Sequence, residues 1–201
     1  MPLVEGTPVS RGSTAIASRS ARATALYCAS TMWCGSRPES TRTCRAIRAW
    51  WAERERELQA VAVVRAVEDR VGDGRVRQVI LGGDFNAEPQ SSSMRFFTGR
   101  ASLEGMSTAY RDAWESVHGD APGHTFDPRN PLTAVDEPDL DRGRRVDFVL
   151  VRCGDHGPTL RIADARLAVH EPVDGVQPSD HYGVVADLVA RDDEMPDTSH
   201  G

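Results

Sequence analysis

The feature that most constrains this sequence is one carboxylate inside an otherwise apolar strand. Residues 145–152 read Arg-Val-Asp-Phe-Val-Leu-Val-Arg, and Asp147 is the one polar residue between the two terminal arginines. An apolar run of this length predicts a buried strand, and a buried carboxylate is costly unless it is paired or hydrogen-bonded. Two interpretations stay open. Asp147 forms an ion pair with Arg144 or Arg145, or it belongs to a functional site.

Two further segments place polar residues beside predicted strands. The segment 83–86, Gly-Asp-Phe-Asn, follows one strand, and the segment 179–181, Ser-Asp-His, precedes another. Taken alone, Asp84 and Asn86 fit a turn-capping role, because Asp and Asn favour the turns that follow strands. The pair at 180–181 taken alone fits a surface turn. The three segments together are more specific than any one of them.

The remaining pattern predicts an α+β domain. A stretch without Gly or Pro, 46–71, carries charges of both signs at helical spacing and predicts a long helix that ends at the glycines of 72–74. The other predicted elements are strands at 76–81, 145–152, 160–169 and 182–190, short helices at 91–98 and 110–117, and a turn-rich loop at 122–141.

Residues 1–45 differ from the rest of the chain. Ser, Thr, Arg and Ala dominate there, and no helix or strand period continues beyond a few residues, although 21–29 favours a short helix. We therefore expect an irregular or disordered leader at 1–45, a domain at 46–191 and a polar tail at 192–201. The abrupt change also leaves open that the first 45 residues are an out-of-frame translation ahead of a genuine domain.

Composition excludes two classes of protein. No stretch approaches the about 18 consecutive apolar residues of a membrane span. The net charge of -6 argues against a protein that coats nucleic acid with a basic surface. We expect a cytoplasmic location, and no specific protein partner is inferred.

In this order and with these neighbours, the polar segments resemble the endonuclease/exonuclease/phosphatase family of metal-dependent phosphohydrolases. The family's Gly-Asp-Phe-Asn, Arg-Ile-Asp-Tyr-Ile and Ser-Asp-His segments match 83–86, 145–149 and 179–181. The pair Thr125-Phe126 resembles the Thr-Phe step that precedes the second of these segments. The resemblance covers about residues 46–190 and implies the second half of a four-layer αββα sandwich with mixed, mostly antiparallel sheets.

The resemblance also implies roles for five residues. Asp84 would orient the attacking water and help to deprotonate it, and Asn86 would hydrogen-bond a phosphoryl oxygen or a metal ligand. His181 would meet the phosphate oxygens, with its ring held by Asp147. Asp180, together with Asp84, would bind a divalent ion, Mg²⁺ or Mn²⁺, because carboxylate oxygens suit such hard cations.

Three features of a complete family member are not recognisable before Arg45: an Asn on the first strand, a metal-binding Glu and a Thr-x-x-His segment. Two interpretations stay open. The chain is a metal-dependent phosphoesterase of reduced activity, or it is an inactive, truncated or degenerate member that acts at most as a binding module. The expected partner is a phosphate ester, either a small molecule, a lipid head group or nucleic acid, and the acidic composition favours a small ester.

The positions of the motifs in the sequence also predict how the strands are arranged. We expect strands 76–81, 145–152 and 182–190 to lie in one sheet, with their motif ends in one cleft. That cleft would hold the four catalytic candidates, Asp84, Asn86, Asp147 and His181.

Overall fold

The structure is a computed structural model that describes residues 23–27 and 52–191, apart from 75, 77 and 138. Its strands are β1 (Ala23–Tyr27), β2 (Ile80–Asp84), β3 (Tyr110–Asp112), β4 (Asp147–Gly154), β5 (Gly157–Pro158), β6 (Leu160–Ala168) and β7 (Gly183–Ala190). Its helices are α1 (Glu53–Gly72), α2 (Ser92–Phe97), α3 (Ala113–His118) and α4 (Pro131–Asp136). None of these helices has the length and apolar character needed to cross a membrane. The cytoplasmic location stays a prediction.

The described strands form two sheets in which every pair is antiparallel. The first sheet has the order β2-β4-β3, with β5 added to β4 as a hairpin, and the second has the order β1-β7-β6. In the first sheet, the register of β2 with β4 places Asp84 opposite Asp147. Two of the three polar segments therefore meet at one end of this sheet.

The two sheets face each other across a shared core. Val149 and Val151 of β4 belong to the same buried cluster as Val184 and Leu188 of β7 and Leu160 of β6. Side chains that alternate along each strand thus fill the space between the sheets, as in a sandwich. The expectation that 76–81, 145–152 and 182–190 share one sheet is wrong. The third of these strands packs across the first sheet instead of extending it.

Helices cover the other face of the first sheet. Val61 and Val64 of α1 and Met94 of α2 pack in one buried cluster with Phe148 and Leu150 of β4. The result is a layer of helices, a first sheet and a second sheet. The fold is α+β, and these are three of the four layers that the family resemblance implies.

Two short elements were misassigned from the sequence. The segment 110–117, predicted as a helix, begins with β3, because its first residues pair with β4. Asp112 then caps α3 by accepting from the Trp114 N–H at 2.9 Å. The loop predicted at 122–141 contains α4, which Asn130 caps by accepting from the Leu132 N–H at 3.0 Å.

Two more predicted elements differ from the structure, one strand in its bounds and one helix in its type. The strand predicted at 76–81 is β2 at Ile80–Asp84, since its pairing with β4 continues through the glycines at 82 and 83. The segment 21–29, where a short helix was favoured, contains β1, which pairs with β7. The rest of 1–45, residues 46–51 and the tail at 192–201 lie outside the described residues. The division into leader, domain and tail stays a prediction.

Leu150→Ala tests the core between α1 and the first sheet. Leu150 is completely buried, so truncation should lower the free energy of unfolding by about 2–5 kcal/mol. Leu58→Ala is the matched control, because Leu58 on α1 is 47% exposed and its truncation should cost less than about 1 kcal/mol. Urea unfolding measures both losses. Equal losses would contradict the assigned packing.

Candidate active site

Asp84, Asp147 and His181 lie together at one end of the sandwich. Asp84 ends β2, Asp147 begins β4, and His181 lies two residues before β7. One ligand atom from each side chain lies within 4.8 Å of the other two, and all three residues are buried. The two sheets therefore join, in one cluster, polar residues from all three segments that the sequence singled out.

The partner that Asp147 requires is His181. The Asp147 Oδ2 atom lies 2.8 Å from His181 Nδ1, within a hydrogen bond. Its other oxygen, Oδ1, is buried and has no hydrogen-bond partner in the described part of the chain. Arg145, one of the alternative ion-pair partners, pairs with Asp112 instead, with Nη1 at 2.5 Å from Oδ2.

The surrounding carboxylates change the protonation of His181. Burial of the ring acts to lower the pKa of His181, but the hydrogen bond with Asp147 and the charges of Asp147, Asp84 and Asp180 outweigh it. The pKa of His181 is therefore raised from its ordinary value. In the protonated ring, Nδ1–H donates to Asp147, and Nε2–H is left to donate to an anion.

Asn86 closes the turn that follows Asp84. Its backbone N–H donates to Asp84 Oδ1 at 2.8 Å, and its Nδ2 donates to Asp84 Oδ2 at 3.1 Å. Asn86 has a φ of 49°, in the left-handed region that Asn tolerates better than most residues. The turn-capping interpretation thus describes the local hydrogen bonds, while the same Asp84 carboxylate belongs to the buried cluster.

Asp180 lies beside the cluster and is not one of its three members. Its Oδ1 accepts from Ser179 Oγ at 3.4 Å, and its charge contributes to the raised pKa of His181. The resemblance pairs Asp180 with Asp84 as metal ligands. The compact donor set in the described residues instead pairs Asp84 with Asp147 and His181.

Thr125 connects the strands that carry the site. Its hydroxyl accepts hydrogen bonds from the backbone N–H groups of Val146 and Asp147, both at 3.1 Å. Its carbonyl accepts from the Tyr182 N–H at 2.7 Å. Thr125 is completely buried, so it fixes the start of β4 against the segment that contains His181. The sequence pointed to Thr125 only through the Thr-Phe step.

Helix α4 and its cap hold the 179–181 turn. Asn130 Nδ2 donates to the Ser179 carbonyl at 2.9 Å, and Thr133 Oγ1 donates to the Asp180 carbonyl at 2.5 Å. Both side chains are completely buried. These two residues are not among the candidates predicted from the sequence, because 122–141 has the composition of a turn-rich loop. The available signal was the Asn-Pro pair at 130–131, since Asn favours the N-cap and Pro the first helical position.

Asp127 and Arg129 form a two-bond ion pair in the loop that follows Thr125. Arg129 Nε donates to Asp127 Oδ1 at 2.9 Å, and Arg129 Nη2 donates to Oδ2 at 2.8 Å. The hydrogen bonds from Arg129 lower the pKa of Asp127 to about 2, although burial of the carboxylate acts in the opposite direction. The carboxylate is therefore ionised through the physiological pH range.

The buried cluster fits a divalent cation. Two carboxylates, Asp84 and Asp147, lie close enough to repel each other when both are ionised. Asp147 Oδ1 also keeps its lone pairs without a donor in the described residues. Carboxylate oxygens are the protein ligands that Mg²⁺ and Mn²⁺ prefer. Asp84 and Asp147 are thus carboxylates of the cluster that could hold such an ion.

Two buried carboxylates beside a histidine, at one end of two packed sheets, form a donor set that could hold a divalent metal ion. The model of the Endonuclease/Exonuclease/phosphatase family matches residues 4–181, and the chain belongs to this family. The match begins within 1–45, so it extends beyond the 46–190 covered by the motifs. Members of the family are divalent-metal-dependent enzymes that act on phosphate esters. No curated protein matches the sequence significantly.

The chain is also similar to several solved structures. An endonuclease/exonuclease/phosphatase from Bacteroides vulgatus is 21% identical, with a TM-score of 0.49 over 69% of this chain and 45% of that one. TDP2 from C. elegans is 21% identical, with a TM-score of 0.49 over 71% and 39%. D. rerio TDP2 complexed with single strand DNA product is 20% identical, with a TM-score of 0.47 over 70% and 52%. The chain spans about half or less of the length of these structures.

Thr125→Val tests the hydroxyl that joins the two parts of the site. The variant keeps the shape of the side chain but leaves the N–H groups of Val146 and Asp147 without an acceptor, at about 1–3 kcal/mol for each buried group. Amide exchange at Val146 and Asp147 should accelerate, and the free energy of unfolding should fall. Thr125→Ser, which retains the hydroxyl, should stay close to the parent chain. Equal behaviour of the two variants would contradict the assigned role.

The contribution of the Asp127–Arg129 ion pair to the stability of the fold depends on pH. Because the pKa of Asp127 is lowered on folding, the pair contributes stability above the ordinary aspartate pKa and loses it as the pH falls towards 2. Arg129→Gln should raise the pKa of Asp127, as a carboxyl ¹³C titration would show. Arg142→Gln, which removes an exposed arginine bound to Glu88, should leave that titration unchanged. An unshifted Asp127 pKa in Arg129→Gln would contradict the assigned ion pair.

Proposed function

We propose that the chain is a divalent-metal-dependent phosphoesterase that hydrolyses a phosphodiester or phosphomonoester by attack of water on phosphorus. The observation that carries the proposal is the buried cluster of Asp84, Asp147 and His181, in which Asp147 holds the His181 ring and keeps one oxygen without a partner. Membership of the family supports the reaction class.

In this proposal each side chain has a separate task. Asp84 orients the attacking water and accepts its proton, and Asn86 keeps the Asp84 carboxylate in place through two hydrogen bonds. Asn86 also offers an amide to the phosphoryl group. His181 donates from Nε2 to a phosphoryl oxygen, since its Nδ1 is engaged by Asp147. Preorganised donors of this kind stabilise the charge that develops in the transition state.

The proposed ion is Mg²⁺ or Mn²⁺, held by Asp84 with either Asp147 Oδ1 or Asp180. When bound, the ion neutralises charge on the phosphoryl oxygens. The geometry supports Asp147 through its partnerless buried oxygen, and the family motif supports Asp180. Mn²⁺ binding to the variants Asp147→Asn and Asp180→Asn, measured by electron paramagnetic resonance, distinguishes these two candidate ligands. The variant that lacks the true ligand should bind Mn²⁺ at least tenfold more weakly than the parent chain.

The proposed substrate is a small ester. The net charge of -6 disfavours the long polyanion of a nucleic acid. A small ester requires only local compensation of charge, which His181 and the ion would supply. Bis-p-nitrophenyl phosphate is the corresponding probe for a phosphodiester, and p-nitrophenyl phosphate for a phosphomonoester.

His181→Ala tests the proposed activity. We expect slow, chelator-sensitive hydrolysis of bis-p-nitrophenyl phosphate with Mg²⁺ or Mn²⁺, which His181→Ala lowers by roughly 10²–10³, the typical loss for one donor to the transition state. His156→Ala is the matched control, because His156 is exposed in the turn between β4 and β5. Its turnover should equal that of the parent chain.

Three outcomes separate the proposal from its alternatives. Turnover that survives the chelator, or that falls equally in His156→Ala, would contradict the assigned site. Mn²⁺ binding that depends on Asp84 without any turnover would identify a family member that acts as a binding module. The chain spans about half or less of the length of the solved structures. A binding module without turnover is therefore the second candidate function that these experiments address.

A further inference from the structure

A cavity of about 380 Å³ lies outside the candidate active site. Three of its six lining residues are arginines, and none is acidic. The lining consists of Arg111, Ser116, Pro158, Arg161, Ile162 and Arg191. Such a concentration of basic side chains is notable in a chain of net charge -6.

This arginine cavity is at the opposite end of the sheets from the catalytic cluster. Pro158 pairs with Cys153, six residues along β4 from Asp147, which at about 3.3 Å per residue is a distance of roughly 20 Å. Likewise, Arg191 follows the last residue of β7, whereas His181 precedes the first. A compact ligand in one site would therefore not reach the other.

Two of the three cavity arginines have no ion-pair partner among the described residues. In the part of the chain that the structure describes, no carboxylate forms an ion pair with Arg111 or Arg161. The third arginine is positioned by the backbone, because Arg191 Nη1 donates to the Pro158 carbonyl at 3.1 Å. The cavity thus presents at least two guanidinium groups whose charge no described side chain neutralises.

The acidic residues nearest in sequence to Arg111 and Ser116 are engaged elsewhere. Asp112 pairs with the buried Arg145, and Glu115 pairs with Arg100. These carboxylates therefore do not supply the missing charge. An anion bound between Arg111 and Arg161 would supply that charge.

We propose that this cavity binds a small molecule carrying more than one phosphate group. Guanidinium groups match phosphate oxygens with two parallel hydrogen bonds, so arginines suit this ligand better than a single monovalent anion. The volume lies within the about 300–1,000 Å³ of small-molecule sites, and it exceeds what one phosphate fills. Pro158 and Ile162 supply an apolar wall against which an organic part of the ligand packs. The site is separate from the proposed hydrolysis and is occupied independently of the metal.

Calorimetric titration of the full chain with sodium pyrophosphate tests the proposal. Excess chelator is present, so that no divalent ion brings the ligand to the catalytic cluster. We expect saturable binding at one site, weakened more than tenfold in Arg111→Gln/Arg161→Gln. His181→Ala should bind as the parent chain does. The matched control is Arg54→Gln/Arg70→Gln, which makes the same change in net charge on α1 and should not weaken binding.

A second measurement needs no variant. In the parent chain, pyrophosphate should shift the side-chain ¹⁵Nε signals of Arg111, Arg161 and Arg191, while that of Arg70 stays in place. Several outcomes would overturn the proposal: no saturable binding, equal weakening in the control variant, loss of binding in His181→Ala, or unshifted signals from the cavity arginines. A single-stranded oligonucleotide that displaces pyrophosphate at lower concentration would also overturn it, and would assign the surface to nucleic acid.

Discussion

The structure depends on the burial of one carboxylate between two sheets. Asp147 starts the central strand of the first sheet, and both of its oxygens are withdrawn from water. Such a group is tolerated only when its charge is met by a donor. His181, delivered by the second sheet, meets one oxygen at 2.8 Å. The pair that joins the two sheets at this end therefore also forms the centre of the candidate active site.

The geometry of that pair is set by residues that do not belong to the cluster. Thr125 binds both the start of β4 and the segment before β7, and Asn130 and Thr133 hold the carbonyls of 179 and 180. These side chains are buried, so their rotamers are fixed by packing. Fixed donors and acceptors of this kind are what catalysis by preorganised charge requires. The connection from 122 to 141 is thus the element that aligns the two sheets at the site.

The sequence predicted which polar residues lie together better than it predicted how the strands are arranged. Asp147 was recognisable because a charge inside an apolar strand is costly, and its neighbours at 84 and 181 followed from their position at strand ends. The assignment of strands to sheets was wrong, because an apolar strand looks the same whether it extends a sheet or packs across it. Asn130 and Thr133 were missed because their partners are backbone carbonyls, which no residue pattern reveals. β3 was hidden because three residues that pair with β4 run directly into a helix.

The proposed function requires a divalent cation beside the cluster of Asp84, Asp147 and His181. Paramagnetic broadening by Mn²⁺ of the histidine ring signals tests this most directly, since the effect falls steeply with distance and needs no turnover. Substoichiometric Mn²⁺ should broaden the His181 signals beyond detection, leave those of His156 sharp, and lose its effect on His181 in Asp84→Asn. Sharp His181 signals in a chain that Mn²⁺ has saturated, or broadening that is unchanged in Asp84→Asn, would contradict the assigned site.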